Sequence, residues 1–160
     1  MWACGSNTNG QLGDGTTTFK SILTQIGTAN DWSKVMSSSS HTMAIKTDGT
    51  LWAWGNNFYY SLGDGTNTTR YAPVQIGSAS DWATISSQNI HTVAVKTNNT
   101  IWTWGNNNYG QLGLGNTTTQ SSPTQIGNGT VWGIASAAGE HTEVLKTDGT
   151  LWSCGRNEYG

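Results

Sequence analysis

Charged side chains are scarce in this sequence of 160 residues, and their scarcity excludes one large class of function. Only 10% of the residues are Asp, Glu, Lys or Arg, against about 25% in an average soluble domain. The net charge is −2, and the seven basic residues are spread along the chain without forming a block. Proteins that bind duplex nucleic acid normally carry a basic face, so we expect no nucleic-acid partner.

Long apolar segments are also missing. No apolar run approaches the ~18 residues that a membrane-spanning helix requires, so we expect no membrane partner. The first residues, Met1 to Gly5, have neither the charged nor the apolar segment of a signal peptide. The sequence leaves localisation open. A surface rich in Asn and Thr would suit a location outside the cell or on a bacterial or phage surface.

Motifs for catalysis and for bound ligands are absent from the sequence as well. It contains no nucleophile elbow, no zinc-protease motif and no Cys-x-x-Cys pair. The glycine-rich residues 10–15 are followed neither by a helical pattern nor by the Lys-Ser/Thr of a phosphate-binding loop. We therefore predict that the protein is not an enzyme and holds no cofactor and no metal ion.

What the sequence does contain is a repeat. A shift of 50 positions superimposes the chain on itself without a gap. We treat residues 1–160 as a single repeat domain, with repeats at 1–50, 51–100 and 101–150 and a partial fourth at 151–160. The aligned positions include four tryptophans and three histidines: Trp2, Trp52, Trp102, Trp152, His41, His91 and His141. A fixed spacing of this kind indicates one structural unit repeated along the chain.

Local patterns within each repeat predict β-strands. Residues 42–46 alternate and are rich in strand-forming side chains, Asp48-Gly49 suits a two-residue hairpin turn, and residues 51–54 supply the return strand. Further strands are predicted near residues 74–76 and 82–86, with Pro73 at the start of the first. About four antiparallel strands per repeat predict an all-β fold built from propeller blades, about three in this chain.

The pattern resembles the regulator of chromosome condensation repeat family, and the resemblance covers the whole chain. It is carried by Leu51-Trp52-Ala53-Trp54-Gly55, Gly110-Gln111-Leu112-Gly113 with Gly115, Pro123, Trp132, His141-Thr142 and Lys146-Thr147-Asp148-Gly149. The resemblance implies a β-propeller, usually of seven four-stranded blades. Members of this family include an exchange factor for a small GTPase, a plant photoreceptor and a bacterial enzyme inhibitor, so the fold alone does not choose a partner.

Three repeats and a fraction cannot close a ring of that size. An open arc would expose apolar blade faces and strand edges, which favours association. We therefore expect the chain to belong to a longer protein or to form a homo-oligomer, with a homodimer that shares terminal blades preferred. The chain begins inside a repeat, as would a fragment, a processed product or an engineered protein.

The two cysteines, Cys4 and Cys154, occupy one repeat position, where the inner repeats have Trp54 and Trp104. One interpretation is a disulfide between copies, which requires Cα atoms within about 7 Å. The other is a pair of ordinary buried thiols. Spacing alone does not choose between them.

The recurring polar and aromatic residues are interpreted as structural. Each histidine recurs once per repeat, on a separate blade, so we expect a hydrogen bond that fixes the start of a strand rather than a metal site. The tryptophans are expected to fill the core. The lysines before the hairpin turns, Lys46, Lys96 and Lys146, are expected to be solvated.

Function is expected where the repeats differ from one another. The best candidates for a binding site are aromatic and arginine residues in polar loops, namely Phe58, Tyr59, Tyr60, Arg70 and Tyr71. The sequence therefore favours a non-enzymatic module for protein–protein interaction or scaffolding. Alternatively, these residues belong to plain surface loops or to an oligomer contact. Alternative functions are a carbohydrate-binding or adhesin-like surface protein and a propeller fragment with no independent activity.

Overall fold

The computed structural model describes residues 1–88, 90–129 and 131–158, which form thirteen β-strands and no helix. Four residues of the predicted repeats, Asn89, Thr130, Tyr159 and Gly160, lie outside the described residues. The strands are β1 (Trp2–Gly5), β2 (Lys20–Gln25), β3 (Trp32–Ser37), β4 (His41–Lys46), β5 (Leu51–Gly55), β6 (Arg70–Gln75), β7 (Trp82–Gln88), β8 (His91–Lys96), β9 (Ile101–Gly105), β10 (Gln120–Gln125), β11 (Trp132–Ala137), β12 (His141–Lys146) and β13 (Leu151–Gly155).

The strands form four antiparallel sheets. Two are complete blades, ordered β3-β4-β5-β6 and β7-β8-β9-β10, and they confirm the prediction of four-stranded blades. The first strands of neighbouring sheets contact each other, β3 with β7 and β7 with β11, so the first strand of each blade lies innermost. The remaining sheets are β11-β12-β13 and β1-β2. Strand β1 matches β5 and β9 in sequence, and these are third strands of their blades. The sheet β1-β2 therefore represents the outer two strands of one blade, and β11-β12-β13 the inner three strands of another.

The hairpin turn between the second and third strands follows the local sequence. Asp48 Oδ1 accepts hydrogen bonds from the backbone N–H and the hydroxyl of Thr50, at 2.9 and 2.7 Å. Gly49 has φ 79, a left-handed conformation that glycine adopts without strain. Asn99, with φ 62, takes the same role in the next repeat, since asparagine tolerates this region better than most residues.

The fourth strand starts earlier than the sequence analysis predicted. It spans Arg70–Gln75 rather than starting at Pro73, and Pro73 lies inside it. Pairing with β5 is irregular here, because Gly55 faces Arg70 whereas Ala53 faces Val74. The proline therefore occupies a part of an outer strand where a missing N–H disturbs no regular ladder.

The core lies between blades as well as within them. Strands β4 and β8 have five successive buried residues each, so both of their faces are covered. The indole nitrogens of Trp54 and Trp104 donate to the backbone carbonyls of Gln11 and Ser61 in the preceding blade, each at 2.9 Å. A side chain at Gly63 would meet the Trp104 ring, because an added Cβ would lie 2.6 Å from its nitrogen. In each full blade, one tryptophan thus packs against a glycine of the preceding blade.

Candidate interaction surface

Two of the three histidines, His41 and His91, link neighbouring blades. His41 Nδ1 is hydrogen-bonded to Ser38 Oγ in its own blade and Nε2 to Ser87 Oγ in the next, both at 2.8 Å. His91 Nε2 reaches Thr142 Oγ1 of the third blade at 2.8 Å. Burial lowers the pKa of both His41 and His91 to about 4, so both rings are neutral at pH 7. His41 thus shows both the hydrogen bond expected at the start of the strand and a contact between blades, whereas the described side-chain bond of His91 is the contact between blades alone.

The expectation that the lysines are solvated is wrong for Lys46 and Lys96. Lys46 Nζ lies 5.1 and 4.6 Å from the ring centroids of Trp32 and Trp52, and its ion pair with Asp31 is 3.0 Å long. Lys96 has the same arrangement with the equivalent residues of the second blade. Their side chains are only 17% and 12% exposed. Cation–π contact explains why lysine and two tryptophans recur together.

The loop between the third and fourth strands is anchored by an asparagine that the sequence analysis did not select. Asn57 is fully buried. Its Nδ2 donates to Asp64 Oδ1 at 3.0 Å and to the carbonyl of Thr66 at 2.7 Å, and its Oδ1 accepts from the N–H of Leu62 at 3.0 Å. Asn7 forms the same three bonds. Asn107 forms those to a backbone carbonyl and a backbone N–H, but Leu114 replaces the aspartate. These asparagines recur every 50 residues in the sequence, but they do not stand out among the many other asparagines.

This anchored loop presents Phe58 and Tyr59 to solvent. Their rings meet edge to face at 5.0 Å, and the side chains remain 68% and 42% exposed. The next residue, Tyr60, has φ 62, whereas its equivalents in the other repeats are the glycines Gly10 and Gly110. A tyrosine in the left-handed region is strained, and such strain concentrates at functional positions.

The other two predicted site residues serve other contacts. Arg70 forms an ion pair with Asp64 Oδ2 at 2.7 Å and donates to Thr66 Oγ1 at 3.3 Å, so it braces the loop from below. Tyr71 is exposed, and its backbone carbonyl accepts from the N–H of Gly15 in the preceding blade at 2.8 Å. The structure therefore pairs Phe58 with Tyr59, and no contact described joins Tyr71 to them.

Both cysteines are free thiols within the chain, Cys4 exposed and Cys154 half-buried. Burial raises the pKa of Cys154, which keeps it protonated at neutral pH. A disulfide between two copies stays a prediction.

Residues 1–88, 90–129 and 131–158 contain no group of three or more His, Cys, Asp or Glu side chains placed to hold a metal ion. No helix with the length and apolar character for crossing a membrane occurs in the same ranges.

Comparison with known proteins defines the class. The model of the regulator of chromosome condensation (RCC1) repeat matches residues 1–45, 48–95 and 98–145, and a second model of that repeat matches residues 32–61. These matches span most of the sequence, and the described sheets are propeller blades. The chain belongs to the RCC1 repeat family.

Solved structures show the same fold at low sequence identity. Human WBSCR16 superposes with a TM-score of 0.84 at 20% identity, over 96% of this chain and 42% of that one. Yeast RCC1 (Prp20) in a structure with Kap60 gives 0.81 at 16% identity, over 96% and 39%. Prp20p from Saccharomyces cerevisiae gives 0.83 at 16%, over 96% and 40%. The chain thus spans about two fifths of their length. Among curated proteins, none matches.

Proposed function

We propose that this chain is a non-enzymatic protein-interaction module whose first partner is a second copy of itself. Protein binding is supported by the yeast relative Prp20, which is bound to Kap60 in one structure and is described in the other by its binding to Gsp1p and histones. Two copies bring twice three repeats, six in all. Their terminal sheets would combine into two shared blades and close a six-bladed ring.

The observation that carries this proposal is the uneven burial of one strand. In β4 and β8 the first five residues are buried on both faces, whereas in β12 burial alternates residue by residue. The exposed face of β12 carries His141 and Leu145. His41 and His91, the equivalents of His141, form hydrogen bonds to the next blade, so the exposed face of β12 has the residues that contact a following blade.

The opposite end of the arc has a matching exposed face. Val35 on β3 is 59% exposed, whereas its equivalent Ile85 on β7 packs against the core. Ser37, the equivalent of the Ser87 that binds His41, is also exposed. A second copy placed before β3 would cover Val35 and bring its His141 to Ser37.

In a shared blade, β13 of one copy and β1 of the other would compete for the same place, that of the third strand. Strand β13 forms five pairs with β12, but β1 forms only three with β2, with an irregularity between Ala3 and Gly5. Displacing β1 therefore loses fewer pairs. We propose that β13 stays and pairs with β2 of the other copy, so that Trp152 faces Gln25, as Trp2 faces Gln25 now.

One residue opposes this junction. Glu143 stands on the exposed face of β12, where Met43 and Val93 are fully buried in the other blades. Burying a carboxylate there costs about 1–3 kcal/mol or more, because few partners compensate it. Replacing Glu143 by Val, the residue of the second repeat, should tighten association by about tenfold, which corresponds to about 1.4 kcal/mol.

Sedimentation of matched variants tests the proposal. Val35→Lys should abolish association, and Phe58→Lys, an equally exposed change in a loop, should leave it intact. Removal of residues 1–5 should preserve or tighten association because it frees β2. If Val35→Lys and Phe58→Lys behave alike, or Glu143→Val has no effect, the proposed junction is wrong.

We propose further that Phe58 and Tyr59 contact a partner protein other than a second copy. Exposed aromatic pairs on an anchored loop are typical hot-spot material. A photo-crosslinking residue at position 58 should capture a defined protein in cells, and the same residue at position 108, the equivalent loop position, should not. Equal capture at both positions would contradict this assignment.

A further inference from the structure

The third blade lacks the tryptophan that packs between blades in the other two. Trp54 and Trp104 each place an indole against the preceding blade and donate to a backbone carbonyl at 2.9 Å. Cys154 occupies the equivalent position, and its Sγ lies 3.5 Å from the equivalent carbonyl, that of Gln111. A separation of 3.5 Å is ordinary for a thiol, but S–H is a weak donor. The Gln111 carbonyl, which also accepts from Thr142 Oγ1 at 2.7 Å, therefore lacks the second strong hydrogen bond that Gln11 receives from Trp54.

The walls around the missing indole are retained. A cleft of about 250 Å³ is lined by Ile101, Ile126 and Trp132 together with Cys154. The first three are the equivalents of Leu51, Ile76 and Trp82, which form one core cluster with Trp104. Trp82 packs against the Trp104 ring at 6.0 Å, the contact that Trp132 has available in the third blade.

The roof of the cleft is retained too. Gly63 has no room for a side chain because the Trp104 ring lies over it. Its equivalent, Gly113, keeps a positive φ of 68, yet an added Cβ there would meet only the Cys154 sulfur at 3.1 Å and Ile126 at 3.4 Å. Val144 replaces Ala44 and Ala94 and fills only part of the vacated space, since the cleft remains.

The chemistry of the cleft selects one kind of occupant. Its lining is mostly apolar. The carbonyl of Gln111 is not part of that lining, but it lies 3.5 Å from the Cys154 sulfur, which is, and it is the equivalent of the carbonyls that receive an indole N–H in the other blades. Apolar cavities of about 150 Å³ in proteins bind benzene, so a cleft of this size can accept a bicyclic ring. A flat aromatic with a single N–H donor complements both features.

We propose that this cleft binds a free indole ring, which replaces the missing tryptophan side chain and donates its N–H to the carbonyl of Gln111. The cleft walls come from one chain, and β13 keeps its place in the proposed ring. Indole binding therefore does not rest on self-association, and either proposal can fail alone.

Isothermal titration with indole and indene tests the site. Indene has the same shape but lacks the N–H. We expect one indole per chain with a Kd on the order of 0.1–1 mM. Indene should bind roughly five- to tenfold more weakly, because one hydrogen bond contributes about 1 kcal/mol. A folded protein that binds no indole at millimolar concentration, or that binds indene equally well, would overturn the proposal.

Variants then locate the ligand. Cys154→Trp combined with Val144→Ala recreates the second blade's packing and should abolish indole binding. Cys4→Trp is the matched control, since Cys4 is exposed and no part of the cleft, and should leave binding unchanged. Trp104→Cys should raise the stoichiometry to two. Retained binding in the filled variant, or one site in folded Trp104→Cys, would contradict the assignment.

Discussion

Lowering the pH from about 7 to about 4 should destabilise this protein by protonating two histidines that the fold holds neutral. His41 and His91 are fully buried, and burial lowers the pKa of each from 6.5 to about 4. The unfolded chain therefore binds more protons than the folded one between these values. The free energy of unfolding is therefore not reduced by these groups above pH 6.5, and it falls as the pH drops from 6.5 toward 4.

The expected loss is large relative to the stability of a domain. A difference from 6.5 to about 4 corresponds to about 3 kcal/mol for each histidine. Two such groups amount to about 6 kcal/mol, against a typical free energy of unfolding of 5–15 kcal/mol. Unfolded carboxyl groups titrate near pH 4, so they contribute mainly below this window.

Urea unfolding followed by circular dichroism at several pH values between 7 and 4.5 measures this loss. The slope should correspond to the uptake of nearly two protons on unfolding. His41→Gln and His91→Gln each remove one titrating ring while keeping an amide near the hydrogen-bond partner, so each should halve the slope. A free energy of unfolding that is unchanged between pH 7 and 4.5, or a slope that neither variant alters, would refute the reasoning.

Three further predictions concern loop strain and packing, all measured as free energies of unfolding in urea. Tyr60→Gly should stabilise the fold by about 0.5–1 kcal/mol because it relieves a left-handed tyrosine, whereas Tyr59→Gly should not; a loss in the first would contradict the strain. Asn57→Ala should cost about 2–3 kcal/mol because it removes three buried hydrogen bonds, and a change below 0.5 would contradict its anchoring role. Lys96→Met should cost about 1 kcal/mol through the combined loss of the cation–π contacts and of the ion pair with Asp81, and a neutral result would show that these contacts together contribute no stability.

The blades could be predicted from the sequence because their determinants are local. Alternation along residues 42–46 and the turn at Asp48-Gly49 are properties of neighbouring residues, and the 50-residue spacing repeats them. The start of β6 could not be predicted in this way. Irregular pairing around Pro73 depends on the partner strand β5, which the sequence pattern does not show.

The candidate site was less predictable because its contacts join distant residues. Phe58 and Tyr59 were selected as exposed loop aromatics, and they are exposed. Arg70 was selected as a candidate binding residue, and the structure pairs it with Asp64 across the loop, a contact that the sequence pattern did not indicate. Lys46 was expected in solvent, yet the folded sheet brings Trp32 and Trp52 from two strands onto it. Such contacts depend on how the strands pair, which the composition of the sequence does not show.

The claim that one blade needs another to cover its apolar side is tested most directly by the native mass of this chain in solution. Sedimentation equilibrium at micromolar concentration should give a particle of twice the 17.1 kDa chain mass. A folded particle that keeps the mass of a single chain over the whole accessible concentration range would contradict the claim.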